Sequence, residues 1–308
     1  MTYNPVKKTA DLLNWMLEKI KSVEYGVTLR WTFYQAVQEK GLKKSDYKNI
    51  KKYCSKSRKD FWNGWNPTTL VDDTRTIYRN GGGYDNFYDW LNSFMNREPT
   101  YEVYSRQENI VQIWFEAQAM YSQFNHYASP YRIPLVPFKG DTSINAKWKM
   151  AEYLAELYEK YRKPIIILYF GDYEPHRDRG SRAKGLTIPM DALDDVLPWF
   201  ASMIIKNGVL TMAELTPDKL GEILTFKRIG LNEEHIKQWE LPENPERPGE
   251  FQWEALNDER ARDLIKGAIE EYWDRDVIIE IQEKEKADGI TWNEIAREAI
   301  ERYKKAQE

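Results

Sequence analysis

One apolar segment limits what this chain can fold into more than any other feature. Residues 165–170 read Ile-Ile-Ile-Leu-Tyr-Phe, a run rich in β-branched and aromatic side chains, and Gly171 and Asp172 follow it. A strand buried on both faces has such a continuous apolar sequence, which is typical of a parallel sheet covered by helices. Ligand sites in open α/β sheets lie just beyond the carboxyl ends of such strands. The segment therefore predicts an α/β fold with a ligand site directly after this strand.

Carboxylates follow two apolar runs of the chain. Asp172 and Glu174 come after the run at 165–170, and Glu116 comes after a second run at 110–115. Side chains two residues apart in an extended backbone leave on the same side, so Asp172 and Glu174 can converge on one hard cation. The pair predicts a magnesium-type site. The alternative is an acidic turn that only ends a strand.

Apolar periodicity predicts the order of the remaining elements. Strand and helix patterns alternate from residue 110 to residue 170, which favours a parallel sheet. The N-terminal part is mostly helical, and Thr28 and Gly41 are the expected cap and stop of the helix that carries Tyr34. Helices are predicted at 5–23, 28–41, 146–161, 189–206, 258–272 and 278–308, and further strands at 133–138 and 223–229.

Arg30 and Tyr34 stand four residues apart in the segment Thr-Leu-Arg-Trp-Thr-Phe-Tyr-Gln-Ala-Val. With the Glu after the first strand and the Asp-x-Glu pair after the third, this motif resembles the A subunit of topoisomerase VI and its relatives, and especially their short stand-alone phage and plasmid branch. Trp253-Glu254-Ala255-Leu256 also resembles this branch. The similarity covers most of residues 25 to 275. It implies a winged-helix DNA-binding domain at 1–105 and a Toprim domain with a helical C-terminal extension at 106–308.

The resemblance also implies a chemistry. Glu116, Asp172 and Glu174 are the expected ligands of Mg²⁺, with Mn²⁺ as the alternative ion. Tyr34 is the expected nucleophile, which attacks double-stranded DNA and forms a covalent protein–DNA intermediate, with religation or ATP-independent relaxation as the return step. Arg30 is expected to stabilise the phenolate or the phosphate. In the family the tyrosine of one protomer meets the metal site of the other, which implies a homodimer.

Two other functions stay open at this point. A Toprim nuclease of the plasmid- or phage-defence type would hydrolyse DNA with water, and Tyr34 would then be an ordinary core aromatic of its helix. A non-catalytic DNA-binding relative is the other possibility. It is suggested by Glu174, where the family usually has Asp, and by His176-Arg177, where the family usually has Ser-Gly.

The charge of the chain is close to balanced, yet its basic residues are clustered. The sequence has 45 basic and 49 acidic residues, but residues 40–59 contain nine cations and a single acid, Asp46. Such a segment, interleaved with aromatics, predicts a face that contacts DNA phosphates; the alternative is a solvated helix. A second group of basic residues follows the third strand, and it too could contact a DNA phosphate. The alternative is that these residues belong to a surface loop without such a role. The candidate DNA-contacting residues are Lys43, Lys44, Lys48, Lys51, Lys52 and Arg58, with Arg177, Arg179 and Arg182 in the second group.

Several classes are excluded by what the sequence lacks. A single cysteine, Cys54, excludes an internal disulfide, and three scattered histidines give no zinc-site spacing. No apolar run is long enough to span a bilayer, and no signal peptide opens the chain, so a cytoplasmic protein of a bacterium or a phage-infected cell is expected. No Gly-Lys-Ser/Thr phosphate loop is present, so any ATP-driven step would need a separate ATPase subunit.

Overall fold

The chain forms two compact units in a computed structural model. Unit 1 combines Met1–Arg75 with Asn109–Tyr272, and unit 2 combines Thr76–Glu108 with Trp273–Glu308. Unit 1 therefore contains both the N-terminal helices and the sheet. The division at residues 105 and 106 into a winged-helix and a Toprim domain stays a prediction. The structure describes residues 3–71, 83–95, 97–116, 118–137, 144–174, 187–244 and 247–307.

Helices outnumber strands among the described residues. The helices are α1 (Lys7–Lys21), α2 (Leu29–Lys40), α3 (Tyr47–Lys59), α4 (Phe87–Asn92), α5 (Tyr121–Ala128), α6 (Ile144–Tyr161), α7 (Thr187–Lys206), α8 (Pro217–Ile223), α9 (Glu233–Trp239), α10 (Asp258–Glu270) and α11 (Arg275–Gln307). The strands are β1 (Ile110–Phe115), β2 (Leu135–Pro137), β3 (Ile165–Phe170) and β4 (Leu224–Gly230). Each helix and strand predicted from periodicity is confirmed, with ends shifted by a few residues.

Local sequence fixes both ends of α2. Thr28 Oγ1 accepts a hydrogen bond from the Trp31 N–H at 3.2 Å, which satisfies one of the free donors of the first turn. Gly41 ends the helix with a φ of 65°, a left-handed conformation that glycine adopts without strain. The predicted cap and stop are both confirmed, so the position of Tyr34 along α2 follows from local signals.

The four strands form one parallel sheet in the order β2-β1-β3-β4. Every residue of β1 and β3 is buried, as predicted from the continuous apolar sequence of β3 and from that of β1, which is apolar except for Gln112. Ile110 pairs with Ile165 and Phe115 pairs with Phe170, so the two strands end at the same edge. The predicted α/β fold with a parallel sheet is confirmed, and polar residues that follow β1 and β3 must emerge side by side.

An aromatic cluster packs below the edge where β1 and β3 end. Phe124 of α5 stacks on Phe115 with ring centroids 4.6 Å apart, and it also contacts Phe170 and Trp253 at 5.2 and 5.4 Å. Each such ring removes a large apolar area from water and leaves few alternative arrangements. The strand ends, and Trp253 with them, are therefore held by apolar packing immediately below the polar edge.

Unit 2 consists of α4, the segment before β1 and the long helix α11. Phe87 of α4 packs edge to face against Tyr303 of α11, with ring centroids 5.1 Å apart. Glu285 of α11 is 4% exposed and accepts a hydrogen bond from the Tyr101 N–H at 2.6 Å. The predicted C-terminal helical extension is thus a single helix. Within the described ranges, no helix combines the length and the apolar character needed to cross a membrane.

Candidate metal centre and tyrosine cavity

Three carboxylates converge where β1 and β3 end, and we call Glu116, Asp172 and Glu174 the carboxylate cluster. Glu116 follows β1 directly, and the other two follow β3. One carboxylate oxygen from each side chain lies within 4.8 Å of the others. The pairing of β1 with β3 produces this arrangement. The Glu116 N–H extends that pairing beyond the strand end, because it donates to the Phe170 carbonyl at 3.0 Å. The residues proposed from sequence as metal ligands are therefore brought together.

Hydrogen bonds orient two members of the cluster. Glu116 Oε2 accepts from the Asp172 N–H at 3.1 Å and from the Tyr169 hydroxyl at 3.3 Å. Asp172 Oδ1 accepts from the Trp253 N–H at 2.8 Å. Gly171 makes room for Tyr169, because a Cβ atom at this position would collide with the Tyr169 ring and hydroxyl. Sequence reasoning had assigned no role in the site to Tyr169 or Trp253.

Two arginines that sequence reasoning missed stand beside the cluster. Arg228 of β4 donates from Nη2 to the Asp172 carbonyl at 2.8 Å. Arg247 Nη1 lies 3.8 Å from Glu174 Oε1. Arg228 had a usable signal, since it stands near the end of a predicted strand, like the carboxylates. Arg247 had none, because it lies within the Pro-rich loop at 241–248, far along the chain.

Burial and mutual repulsion dominate the electrostatics of the cluster. Burial, together with the charge of Glu174, raises the pKa of Glu116 to about 7. Burial, followed by the charges of Glu116 and Glu254, raises the pKa of Asp172. A proton or a cation would relieve this excess of negative charge. The donors are hard oxygen atoms, a set that suits Mg²⁺ or Mn²⁺, so the residues present fit such an ion.

Tyr34 lies on the buried face of α2 and is 1% exposed. Its hydroxyl donates a hydrogen bond to Gln252 Oε1 at 2.8 Å. Burial, followed by the charge of Glu254, raises the pKa of the phenol, whereas Arg30 lowers it. The ring of Tyr34 is therefore packed in the core, while its hydroxyl is hydrogen-bonded to a polar side chain. The sequence predicted either a nucleophile or a core aromatic, and neither prediction included both features.

A cavity of about 170 Å³ lies beside Tyr34, and we call it the tyrosine cavity. Its cationic lining residues are Arg30 and Lys44, and the Lys44 ammonium also donates to the Asn244 carbonyl at 3.1 Å. A guanidinium and an ammonium in one small cavity favour an anion such as a phosphate group. The other polar lining residues are Ser45, Tyr47, Asn244 and Gln252.

Residues 251–256, which we call the connecting segment, contact both parts of the site. Gln252 bonds to Tyr34 and Trp253 bonds to Asp172. Within the segment, Glu254 is a carboxylate that is only 3% exposed, and burial raises its pKa while Arg30 lowers it. Four residues of this segment, 253–256, contributed to the family resemblance. No local sequence pattern, however, predicted the contacts that the segment makes.

The basic segment is largely exposed. Lys43 and Lys44 precede α3, and Lys48, Lys51 and Lys52 lie on its exposed side, opposite the buried Ile50 and Cys54. Arg58 differs from the lysines, because its guanidinium donates to the Pro67 carbonyl at 2.7 Å and also bonds to the Leu70 carbonyl. Its main contact is thus with the loop after α3. The second group, Arg177, Arg179 and Arg182, and His176 lie outside the described residues.

Comparison with protein-family models, with curated proteins and with solved structures finds no match for this chain. The family resemblance therefore depends on the residues quoted for it and stays a prediction.

Proposed function

We propose that this protein cleaves double-stranded DNA in a reaction that depends on a divalent cation, with Tyr34 as the nucleophile. The observation that carries the proposal is the carboxylate cluster, whose three oxygen donors converge within 4.8 Å. The proposal includes the finer fold assignment, a winged-helix domain with a Toprim domain of the topoisomerase VI A type. It is supported further by Arg30 and Lys44, which line a cavity beside Tyr34.

Glu116, Asp172 and Glu174 would hold Mg²⁺ or Mn²⁺. Such an ion stabilises charge on a phosphate oxygen and on the leaving oxygen. The hydrogen bonds from Tyr169 and Trp253 keep Glu116 and Asp172 oriented toward the common position. Oriented ligands matter because groups that donate hydrogen bonds to metal ligands fix the geometry of those ligands and change metal affinity by roughly 10- to 100-fold.

The reaction at Tyr34 is a transesterification. The phenol gives its proton to water, its oxygen forms a bond to phosphorus, and the bond from phosphorus to the leaving deoxyribose oxygen breaks, after which that oxygen takes a proton from water. The energy of the phosphodiester is conserved in the phosphotyrosyl bond, so the strand can be rejoined. Arg30 assists because its positive charge lowers the pKa of the phenol, against the effect of burial.

DNA is the substrate that best fits the exposed lysines of α3. Phosphate neutralisation by lysines supplies most of the sequence-independent affinity for DNA. Lys44 belongs both to this basic segment and to the tyrosine cavity, which connects the expected DNA face to the nucleophile. We further propose, from the resemblance, a homodimer and a separate ATPase subunit for any ATP-driven step.

Hydrolysis by water is a second candidate, and a specific observation favours it. Tyr34 is 1% exposed, and burial raises the pKa of its phenol. Burial makes the phenol harder to deprotonate than an exposed one and harder to bring to a phosphorus atom, whereas a water molecule can reach the phosphorus and would be acidified by the cation that the cluster would hold. In this case the carboxylate cluster would serve a nuclease, and Tyr34 would only pack and position.

One experiment separates these functions. Purified protein is incubated with supercoiled plasmid and Mg²⁺, stopped with detergent, and run with and without protease. DNA that protease releases from protein, lost in Tyr34→Phe and kept in the matched control Tyr53→Phe, supports transesterification. Free breaks that survive Tyr34→Phe but vanish in Glu116→Ala establish hydrolysis, and DNA that is bound but intact identifies a non-catalytic DNA-binding protein.

A further inference from the structure

We propose that the tyrosine cavity binds one unstacked pyrimidine base of a DNA strand, with the phosphate of that nucleotide held by Arg30 and Lys44. The part that concerns DNA rests on the proposed function, which it deepens by naming the nucleotide that the site takes. A free pyrimidine nucleotide offers the same base and the same phosphate, so it is the other source of this ligand chemistry.

The lining of the cavity is divided by exposure. Its buried lining residues are aromatic or carry an amide: Phe33, Tyr34, Asn244 and Gln252. The cations Arg30 and Lys44 are exposed instead. A phosphate buried among rings and neutral amides would lose its hydration without gaining an opposite charge, whereas a base has flat apolar faces and only a few polar edge atoms. The inner part therefore suits a nucleobase, and the exposed cations suit its phosphate.

The volume of the cavity fits a single ring. It is about 170 Å³. A cavity of about 150 Å³ is enough to hold one benzene ring. A pyrimidine is one ring with small substituents, whereas a purine has a second, fused ring. We therefore expect the cavity to accept cytosine or thymine and to exclude adenine and guanine.

Three aromatic side chains supply a stacking surface. The ring of Phe33 meets the rings of Tyr47 and Tyr34 edge to face, with centroids 4.9 and 6.1 Å apart. All three residues line the cavity, and Tyr47 is only partly buried, so ring surface remains for a base to cover. Stacking on aromatic side chains is a main source of affinity for unpaired nucleotides, because every base has a flat π-face.

The side-chain amide of Gln252 has an unused donor. Its Oε1 accepts a hydrogen bond from the Tyr34 hydroxyl at 2.8 Å, and among the described residues no acceptor bonds to its Nε2. Polar groups of buried residues normally have partners, and an amide nitrogen can donate two hydrogen bonds. Cytosine and thymine both carry a ring carbonyl, O2, that can accept from this nitrogen. Gln252 thus offers a polar contact to either pyrimidine.

A base reaches the cavity only after it leaves the duplex stack. Unstacking costs least for a nucleotide that is already unpaired, so a bulged nucleotide is the most sensitive probe. Lys44 belongs to both the basic segment and the cavity, so a duplex bound along α3 would present its phosphates beside the opening.

Duplexes with one bulged position test the base preference. Fluorescence anisotropy in the presence of a chelator, which prevents metal-dependent cleavage, compares bulged thymine, cytosine, adenine and an abasic sugar. We expect the bulged pyrimidines to bind about tenfold more tightly than the other two, since stacking and the amide contact are added to the phosphate contacts. Equal affinity for all four duplexes would overturn the proposal, because phosphate contacts alone would then explain binding.

Free nucleotides separate the two sources of the ligand. Calorimetric titration uses the 5′-monophosphates of deoxycytidine, thymidine and deoxyadenosine, and deoxyribose 5-phosphate. Binding of the two pyrimidine nucleotides alone identifies a free nucleotide as a ligand in its own right. Binding of none of them, combined with a preference for bulged pyrimidines, assigns the site to a nucleotide within a strand. Equal binding of all four compounds reduces the cavity to an anion site and contradicts the proposal.

Variants of the lining show whether this cavity reads the base. Gln252→Glu keeps the acceptor for Tyr34 but replaces the N–H donor with an anionic oxygen, and it should lose the preference for bulged pyrimidines. Gln238→Glu, an exposed position of α9, adds the same charge and should keep the preference. Tyr47→Leu should lose it, whereas Tyr47→Phe, which keeps the ring, should retain it. A wild-type preference in both Gln252→Glu and Tyr47→Leu would place the base elsewhere.

Cleavage of plasmid with Mg²⁺ is measured separately. A protein that prefers bulged pyrimidines but cleaves no plasmid contradicts the proposed function and keeps the base site. A protein that cleaves plasmid but binds all bulged duplexes equally contradicts the base site and leaves the proposed function in place.

Discussion

The carboxylate cluster and the tyrosine cavity lie in the same compact unit but are assembled in different ways. The cluster follows directly from two adjacent parallel strands, so the pairing of β1 with β3 brings its members together. The tyrosine cavity depends on Tyr34 and Gln252, which are 218 positions apart and meet only through packing. Proximity set by strand pairing can be predicted from a sequence, whereas proximity set by the packing of distant segments cannot.

The largest expected effect is the loss of one cluster carboxylate. Glu116→Ala should reduce plasmid cleavage by about a thousandfold or more, since charge stabilisation at the reacting phosphate depends on it. In wild type, Mg²⁺ should raise the melting temperature, because an ion that binds only the native state stabilises it. That rise should disappear in the variant. Asp218→Asn, an exposed carboxylate on α8, is the matched control and should behave as wild type.

The comparison breaks if Glu116→Ala still cleaves DNA with wild-type metal dependence. The convergence of the three carboxylates would then be a structural feature of the sheet edge, and the reaction centre would have to be sought on the α2 side.

On the tyrosine side, the exposed lysines should control DNA affinity. Replacing Lys48, Lys51 and Lys52 with Gln should weaken DNA binding by about tenfold or more and lower the slope of log affinity against log salt by about 3, because three phosphate contacts are lost. Binding measured by fluorescence anisotropy at several salt concentrations checks this. The control triple variant replaces the exposed Lys149, Lys160 and Lys206 of α6 and α7. Equal losses of DNA affinity in the two triple variants would show that the effect comes from overall charge and not from the position of the α3 lysines.

Stability without metal should depend on pH through Glu116. Its native pKa of about 7 lies above the ordinary value of 4.5, so the native state holds this proton more tightly than the unfolded state does. The resulting stabilisation is complete below about pH 4.5 and is lost as the pH rises through 7, up to about 3 kcal/mol.

Urea unfolding in the presence of a chelator measures this effect. Wild type should lose stability between about pH 5 and pH 8, while Glu116→Gln, which cannot titrate there, should lose less. Mg²⁺ should remove the difference in wild type. Identical pH profiles for the two proteins would show that the cluster is better neutralised by Arg228 and Arg247 than its geometry indicates.

The smallest effect concerns the packing beneath the cluster. In Gly171→Ala the new methyl group meets the Tyr169 ring and hydroxyl, so Tyr169 must move away from Glu116. The expected cost is about 1–3 kcal/mol in the free energy of unfolding, with a weaker response to Mg²⁺. Gly267→Ala in α10, whose Cβ would meet no atom within 4 Å, should instead be neutral or stabilise by about 0.5–1 kcal/mol. Equal changes in the free energy of unfolding for the two glycine variants would show that Tyr169 can move without cost.

Much of the site was predictable because it depends on local signals. The buried strand at 165–170, the carboxylates after it, and the cap and stop of α2 each arise from a few neighbouring residues. Arg228 could have been added by the same reasoning, since it stands near the end of the predicted fourth strand. The role of Arg58 was not predictable, because the carbonyl groups it binds belong to a loop whose path local sequence does not define.

The sequence by itself determined the parallel α/β sheet, the position of the cluster at its edge and the placement of Tyr34 on a capped helix, because hydrophobic period and capping act over a few residues. Only the tertiary structure decided that Gln252 and Trp253 join Tyr34 to Asp172, that Glu254 is buried beside them, and that Arg247 reaches Glu174. Those contacts link segments far apart in the chain. They form because the packing of the aromatic core fixes where these segments lie, and buried polar groups must then form hydrogen bonds with the groups beside them.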